Sequence, residues 1–178
     1  MKKLTLFLFI LVLNNLAAQT DSLHINWPAA FAPEKANFFV HNEIEINASP
    51  QKVWEILINA KAWPTWYSGA EDVNFGTQTD SVLTASTVFT WKTMGLNFVT
   101  TVKEFVPAQR LSWQSDKSSI QAYHAWLIIP TAKGCKLITE ESQKGWLTLF
   151  EKTFQRHKLF NQHQHWLELI KQKAESIH

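Results

Sequence analysis

From Phe38 to Asn47 apolar and polar residues alternate, with Val40, Asn42, Ile44 and Ile46 set against His41, Glu43 and Glu45, the period of a strand with one wet face. Ser49-Pro50 then starts a helix, because a serine oxygen caps free backbone N–H groups and proline at the first helical position gives up no hydrogen bond. Val53, Trp54, Ile56 and Leu57 form the buried stripe of that helix. Ala60 to Tyr67 continues as a short second helix or pair of turns broken at Pro64. Asn47-Ala48-Ser49 also matches a glycosylation sequon, but a strand end followed by a helix cap accounts for it.

After a loop over Gly76 to Asp80, strand patterns resume. Ser86 to Trp91 and Leu96 to Phe105 flank the Gly95 turn as a hairpin, and in-register pairing sets Phe89 opposite Phe98 and Thr87 opposite Thr100. Val106-Pro107 ends that strand, and further strands follow at Arg110 to Gln114, Ile120 to Ile129 and Cys135 to Ser142. The total is six or seven antiparallel strands. Beyond Gly145 the period becomes helical as far as Glu175. Trp146, Phe150 and Phe154 share one face, while Phe160, His163, Leu167, Ile170 and Ala174 form a stripe displaced by about a quarter turn, which predicts a bend or break between them.

The chain start has a different character. Lys2 and Lys3 precede the apolar run Leu4 to Leu13 and the small residues Ala17 and Ala18, the pattern of a secretory signal peptide occupying residues 1–19. Asn14 and Asn15 interrupt the run well short of the roughly 20 apolar residues that span a membrane. No stable membrane span is therefore expected in the mature chain, and the expected location is secreted or periplasmic. Residues 20–37, with Pro28 and Pro33, read as an irregular arm laid over the domain that follows at 38–176.

Composition narrows the function classes. A content of 46% hydrophobic and 18% charged residues fits one globular domain. Loss of Lys2 and Lys3 lowers the formal charge from +2 to 0, which leaves no electrostatic footprint for nucleic acid. The single cysteine, Cys135, excludes an intrachain disulfide.

A first strand followed by two short helices, a curved antiparallel sheet and a long C-terminal helix make an α+β helix-grip, in which the sheet wraps the last helix. The strings EIEINASPQKVWEIL, VTTVKEFVPAQRLSW, HAWLIIP and WLELIKQKAE resemble the START-like SRPBCC superfamily, especially its polyketide cyclase/dehydrase-like branch. The resemblance covers Phe38 to Glu175. It implies that an apolar small molecule, lipid or polyketide is held between sheet and helix, with cyclisation or dehydration in some members and binding alone in others. The chain departs from the pattern at Ala85, where many relatives carry glycine, and in its secretory leader.

Strand parity points Phe89, Trp91, Phe98, Thr100, Leu111, Trp113, His124, Trp126, Ile128, Leu137, Thr139 and Glu141 to the concave face, with Trp66, Tyr67, Phe154 and Phe160 closing the ends. Of these, Trp66, Tyr67, Phe89, Trp91, Phe98, Thr100, Trp113, Trp126, Thr139, Phe154 and Phe160 are the expected ligand contacts. For any one aromatic, core filling is the simpler role. An empty cavity of about 300 Å³, at roughly 24 cal/mol per Å³, would cost on the order of 7 kcal/mol, so a pocket of that size has to be kept small, hydrated or occupied.

The main polar expectation is a pair. If Pro130 lies opposite Cys135, then His124 faces Glu141 on the concave side, whereas a bulge at Gly134 would set His124 opposite Ser142. A carboxylate beside imidazole favours the imidazolium, so the pair could transfer protons, anchor a ligand's polar end, or serve only as a satisfied cross-strand pair. His163 and His165, two apart on a helix, do not share a face, and no spacing resembles a metal site, so neither metal nor other cofactor is expected. Three readings follow: an exported binding protein for an apolar or amphipathic small molecule; a cofactor-independent cyclase or dehydratase using His124 and Glu141; or a protein-interaction module.

Overall fold

The computed structural model describes residues 24–154 and 157–176; for residues 150, 151 and 154 only the backbone is described. The expected leader at 1–19 and the side chain of Phe154 thus lie outside the described residues. The elements run β1 (Phe38–Ile46), α1 (Pro50–Ile58), a 3-10 turn (Ala60–Thr65), β2 (Glu71–Asn74), β3 (Val88–Thr93), β4 (Leu96–Val106), β5 (Arg110–Lys117), β6 (Ile120–Thr131), β7 (Gly134–Lys144), α2 (Trp146–Phe154) and α3 (Lys158–Ser176). All seven strands form one antiparallel curved sheet in the order β1-β7-β6-β5-β4-β3-β2.

The helix start after β1 forms as its chemistry dictates. Ser49 accepts a hydrogen bond from the Lys52 N–H, Pro50 occupies the first turn, and Val53, Trp54 and Leu57 are buried. Ile56 is half-buried at the edge of that stripe. In β4 a bulge around Lys103 shifts the register, so that Phe105 rather than Glu104 stands opposite the inward-facing Leu111. Phe105 thereby reaches Trp54 of α1, ring centroids 4.9 Å apart, while Glu104 turns to Arg110 at 2.8 Å. One extra residue thus turns Phe105 of β4 onto α1.

The β3–β4 hairpin differs from its expected register. Thr93 pairs with Leu96, leaving a two-residue turn of Met94 and Gly95, both at positive φ (54° and 79°). Phe89 consequently lies opposite Thr100 and Trp91 opposite Phe98, two positions from the expected pairing. An even shift preserves which face each residue occupies, so the inward set is unchanged. The β6–β7 hairpin takes the register with Pro130 opposite Cys135. At Gly134 a Cβ atom would collide with the backbone of Ile46 and Ala48, so glycine is required by the close approach of the chain leaving β1.

The last helical stretch breaks in two as its displaced stripes predict, but the buried stripe of α3 starts one residue earlier. Leu159, His163, Trp166, Leu167, Ile170 and Ala174 are buried, whereas Phe160 is 43% exposed. At 100° per residue Leu159 falls in line with His163 and Trp166, and Phe160 is turned off that axis. On α2, Trp146 and Leu149 are exposed rather than packed. Trp166 sits at the centre of the concave face, with the rings of Trp63, Trp91, Trp113 and Trp126 at 5.0–6.3 Å. On the convex face the arm lays Ile25, Trp27 and Phe31 against Tyr123 and Ala125. No helix among the described residues is long and apolar enough to cross a membrane.

Trp54 is 3% exposed, and Trp66 is only partly buried at the margin of the core, under the Lys173 ammonium 5.3 Å from its ring. Trp54→Ala is expected to lower unfolding stability in urea by about 3–5 kcal/mol, and Trp66→Ala by less than half as much. Equal losses would place Trp66 in the core.

Candidate functional site

Register and parity assemble the site. Across β5, β6 and β7 the residues Trp113, His124 and Glu141 stand side by side on the concave face. The next row in one direction holds Leu111, Trp126 and Thr139, and in the other Ser115, Ala122 and Gln143. α3 crosses this surface and lowers His163 onto it, one turn from Leu159 and beside Trp166.

His124, Glu141 and His163 are all buried. His124 Nδ1 lies 3.1 Å and His163 Nε2 3.3 Å from the same carboxylate oxygen, Oε2 of Glu141. The other oxygen accepts a hydrogen bond from Gln143 Nε2 at 2.6 Å. The two imidazoles stack at 4.6 Å, and His124 is also stacked on Trp126 at 5.0 Å. His124 Nε2 and the Thr139 hydroxyl are 2.6 Å apart.

The electrostatics reverse one expectation. Burial pushes the His124 pKa down to about 4; the Glu141 hydrogen bond opposes this and His163 adds to it. His124 is therefore a neutral imidazole at pH 7, not the imidazolium expected from a neighbouring carboxylate, because desolvation outweighs the attraction. With Nδ1–H donating to Glu141, Nε2 accepts from the Thr139 hydroxyl. Burial would raise the Glu141 pKa, but hydrogen bonds from His124 and His163 outweigh it and hold the carboxyl well below the usual range. Burial also pushes the Tyr67 phenol pKa up, against the lowering effect of Gln162.

A cavity of about 40 Å³ opens over this cluster, between the β3–β4 hairpin, β5, β6 and α3. Of the expected ligand contacts, Tyr67, Trp91, Phe98 and Trp113 line it, as do His124 and Glu141. Phe89, Thr100, Trp126 and Thr139 are buried on the concave face but lie outside its lining. Trp66 faces a separate outer groove between α1 and the end of α3, and Phe160 points to solvent. Sequence reasoning missed His163, Gln143, Gln162, Ser115 and Trp166, which all line the cavity. One signal was available: His163 is a histidine inside an otherwise apolar helical stripe.

Residues 38–175 match the sequence model of a family described as polyketide cyclase / dehydrase and lipid transport. The chain belongs to this family. Its fold is the START-like SRPBCC fold. Within the fold, the chain is similar to hypothetical protein jhp0584 from Helicobacter pylori, at 26% identity and a TM-score of 0.78 over 85% of this chain and 96% of that one. It is also similar in fold to the di-domain ARO/CYC BexL from the BE-7585A biosynthetic pathway, at 16% identity and a TM-score of 0.64 over 84% of this chain and 53% of that one. A START superfamily protein from Mycobacterium smegmatis aligns at 13% identity and a TM-score of 0.54, covering 73% of this chain and 97% of that one. No curated protein matches the sequence.

The pKa values carry a consequence for stability. Both His124 and Glu141 are depressed in the folded state, so each contributes stability that is complete above its unfolded value and is lost as pH falls. The unfolding midpoint in urea is expected to hold above about pH 7 and to fall between 6.5 and 4, the window set by the unfolded and folded values of His124. The His124 contribution alone approaches about 1.4 kcal/mol per pH unit inside that window. A midpoint that stays flat there would mean that burial does not depress the His124 pKa.

Proposed function

We propose that this family member is an exported binding protein that holds a small amphipathic molecule between the concave face and α3. One observation carries the reading: among the residues lining the cavity, Gln143 Oε1, His163 Nδ1 and Trp166 Nε1 are buried without a protein hydrogen-bond partner. Each such group costs about 1–3 kcal/mol if left unsatisfied. An acceptor, an imidazole nitrogen and a donor together suit the polar end of a ligand, and Phe98, Ile120 and Leu159 suit an apolar remainder. A cavity of about 40 Å³ takes that polar end or a few water molecules, since one water needs roughly 10–15 Å³ by this measure. The interior is thus kept small by its own rings, and a longer ligand would extend through the mouth between the hairpin and α3. Export rests on the leader-like residues 1–19.

A second reading, acid–base catalysis of the cyclase or dehydratase kind, shifts its base to another residue. Both ring nitrogens of His124 are engaged, by Glu141 and Thr139, whereas Nδ1 of His163 has no protein partner while Glu141 holds its Nε2. A carboxylate orienting an imidazole from behind is the arrangement of a general base. His163 would fill that role, with Glu141 positioning it.

Titration with 1-anilinonaphthalene-8-sulfonate, an anionic amphiphile, tests the binding reading. The protein is expected to bind one equivalent, and Ala122→Leu, which adds bulk beside the cavity, to weaken it by at least about tenfold, or 1.4 kcal/mol. Native mass spectrometry of protein purified from its own host identifies the natural occupant. Unchanged dye affinity in the variant, together with ligand-free protein from the host, would sink the reading.

A further inference from the structure

We infer that His124, Glu141 and His163 form a binding site for a divalent transition-metal ion of the zinc class. The inference shares His163 with the ligand reading but uses its other nitrogen, Nε2 toward Glu141 and not the unpartnered Nδ1, so either can fail alone.

One ligand atom from each of His124, His163 and Glu141 lies within 4.8 Å of the others, and His124 Nδ1 and His163 Nε2 both face Glu141 Oε2. Zinc binds imidazole nitrogen and carboxylate oxygen at about 2.0–2.2 Å, so two tetrahedral donors stand about 3.3 Å apart. The two nitrogen–oxygen edges already measure 3.1 and 3.3 Å. On the nitrogen–nitrogen edge the stacked rings have to draw together by at most about 1.5 Å, a movement open to a side chain on α3. Two neutral imidazoles and one carboxylate are a donor set for zinc, iron, copper or nickel, not for magnesium or calcium, which prefer oxygen.

The surroundings match a metal centre in three further respects. The carboxylate is buried against groups that donate hydrogen bonds but carry no fixed positive charge, His124, His163 and Gln143, and a divalent cation supplies that charge. Outer partners stand on two of the three donors: with a metal replacing the Nδ1 proton of His124, its Nε2–H would donate to the Thr139 hydroxyl, and Gln143 donates to the second oxygen of Glu141, while Nδ1 of His163 has no protein partner. The cavity beside the three donors leaves a fourth position for water or a ligand atom and gives the ion a route from the surface. The three residues come from β6, β7 and α3, so no sequence spacing could announce the site.

The test is metal titration of the chelator-stripped full chain. Zinc is expected to bind at one equivalent with a Kd below about 1 μM, and cobalt(II) to give the intense visible bands of a four-coordinate centre. Glu141→Gln and His163→Gln are each expected to weaken zinc by at least about 100-fold, the upper end for loss of an outer partner, and Thr139→Val by less. His165→Gln, an exposed histidine two residues from His163, is expected to leave affinity unchanged. Binding of the wild-type chain at well under one equivalent, or cobalt spectra lacking those bands, would overturn the site even if the buried variants failed to fold. Equal loss in His165→Gln and His163→Gln would also overturn it, by assigning the metal to surface histidines.

Discussion

Contact between Trp166 and the ring-lined concave face is what the rest of the molecule depends on. A curved sheet exposes an apolar trough that no single strand can cover, and α3 fills it with one large side chain ringed by Trp63, Trp91, Trp113 and Trp126. Tyr67 stacks on the same indole at 4.3 Å, which ties the 3-10 turn after α1 into the same knot. Because α3 is fixed there, His163 is fixed as well, one turn toward the helix start, over a carboxylate that belongs to β7. Core packing and site geometry are in this sense one arrangement.

The balance between burial and pairing decides the chemistry of that arrangement. In water a carboxylate next to imidazole would draw a proton onto the ring. Here His124 is enclosed by Trp113, Trp126 and His163, and loss of hydration favours its neutral form more than Glu141 favours the charged one. Glu141 keeps its charge because it receives hydrogen bonds on both oxygens. The cluster is a carboxylate held by three hydrogen-bonding side chains, at the bottom of a space a few water molecules wide.

Much of this was legible in the residues. Alternation gave the strands, the Ser49-Pro50 cap gave α1, and the register with Pro130 opposite Cys135, one of two that were open, sets His124 against Glu141, while the two-position error in the β3–β4 hairpin leaves Phe89 and Trp91 on the expected face. The short strand β2 escaped because four residues, EDVN, carry no period of their own. His163 and Trp166 escaped for a different reason: a helix reports which residues share its face, but not where along the sheet that face will land. The landing point is set by the depth to which Trp166 sinks, a tertiary quantity. Phe160 shows the converse failure: helical spacing sets it in a stripe with His163 and Leu167, but it lies at that stripe's margin and is exposed, with Leu159 buried in its place.

The arm on the convex side has a consequence for where this domain begins. Strand β6 carries His124 on its inner face and Tyr123 and Ala125 on its outer face, and the outer pair is sealed by Ile25, Trp27 and Phe31. The strand at the heart of the site is thus sandwiched by two chain segments almost a hundred residues away from it on one side and about forty on the other. The region that matches the family starts at residue 38, yet the packing against the sheet reaches back to Ile25. The family match marks the sheet and its helices, and the backing that keeps the central strand dry lies N-terminal to that match.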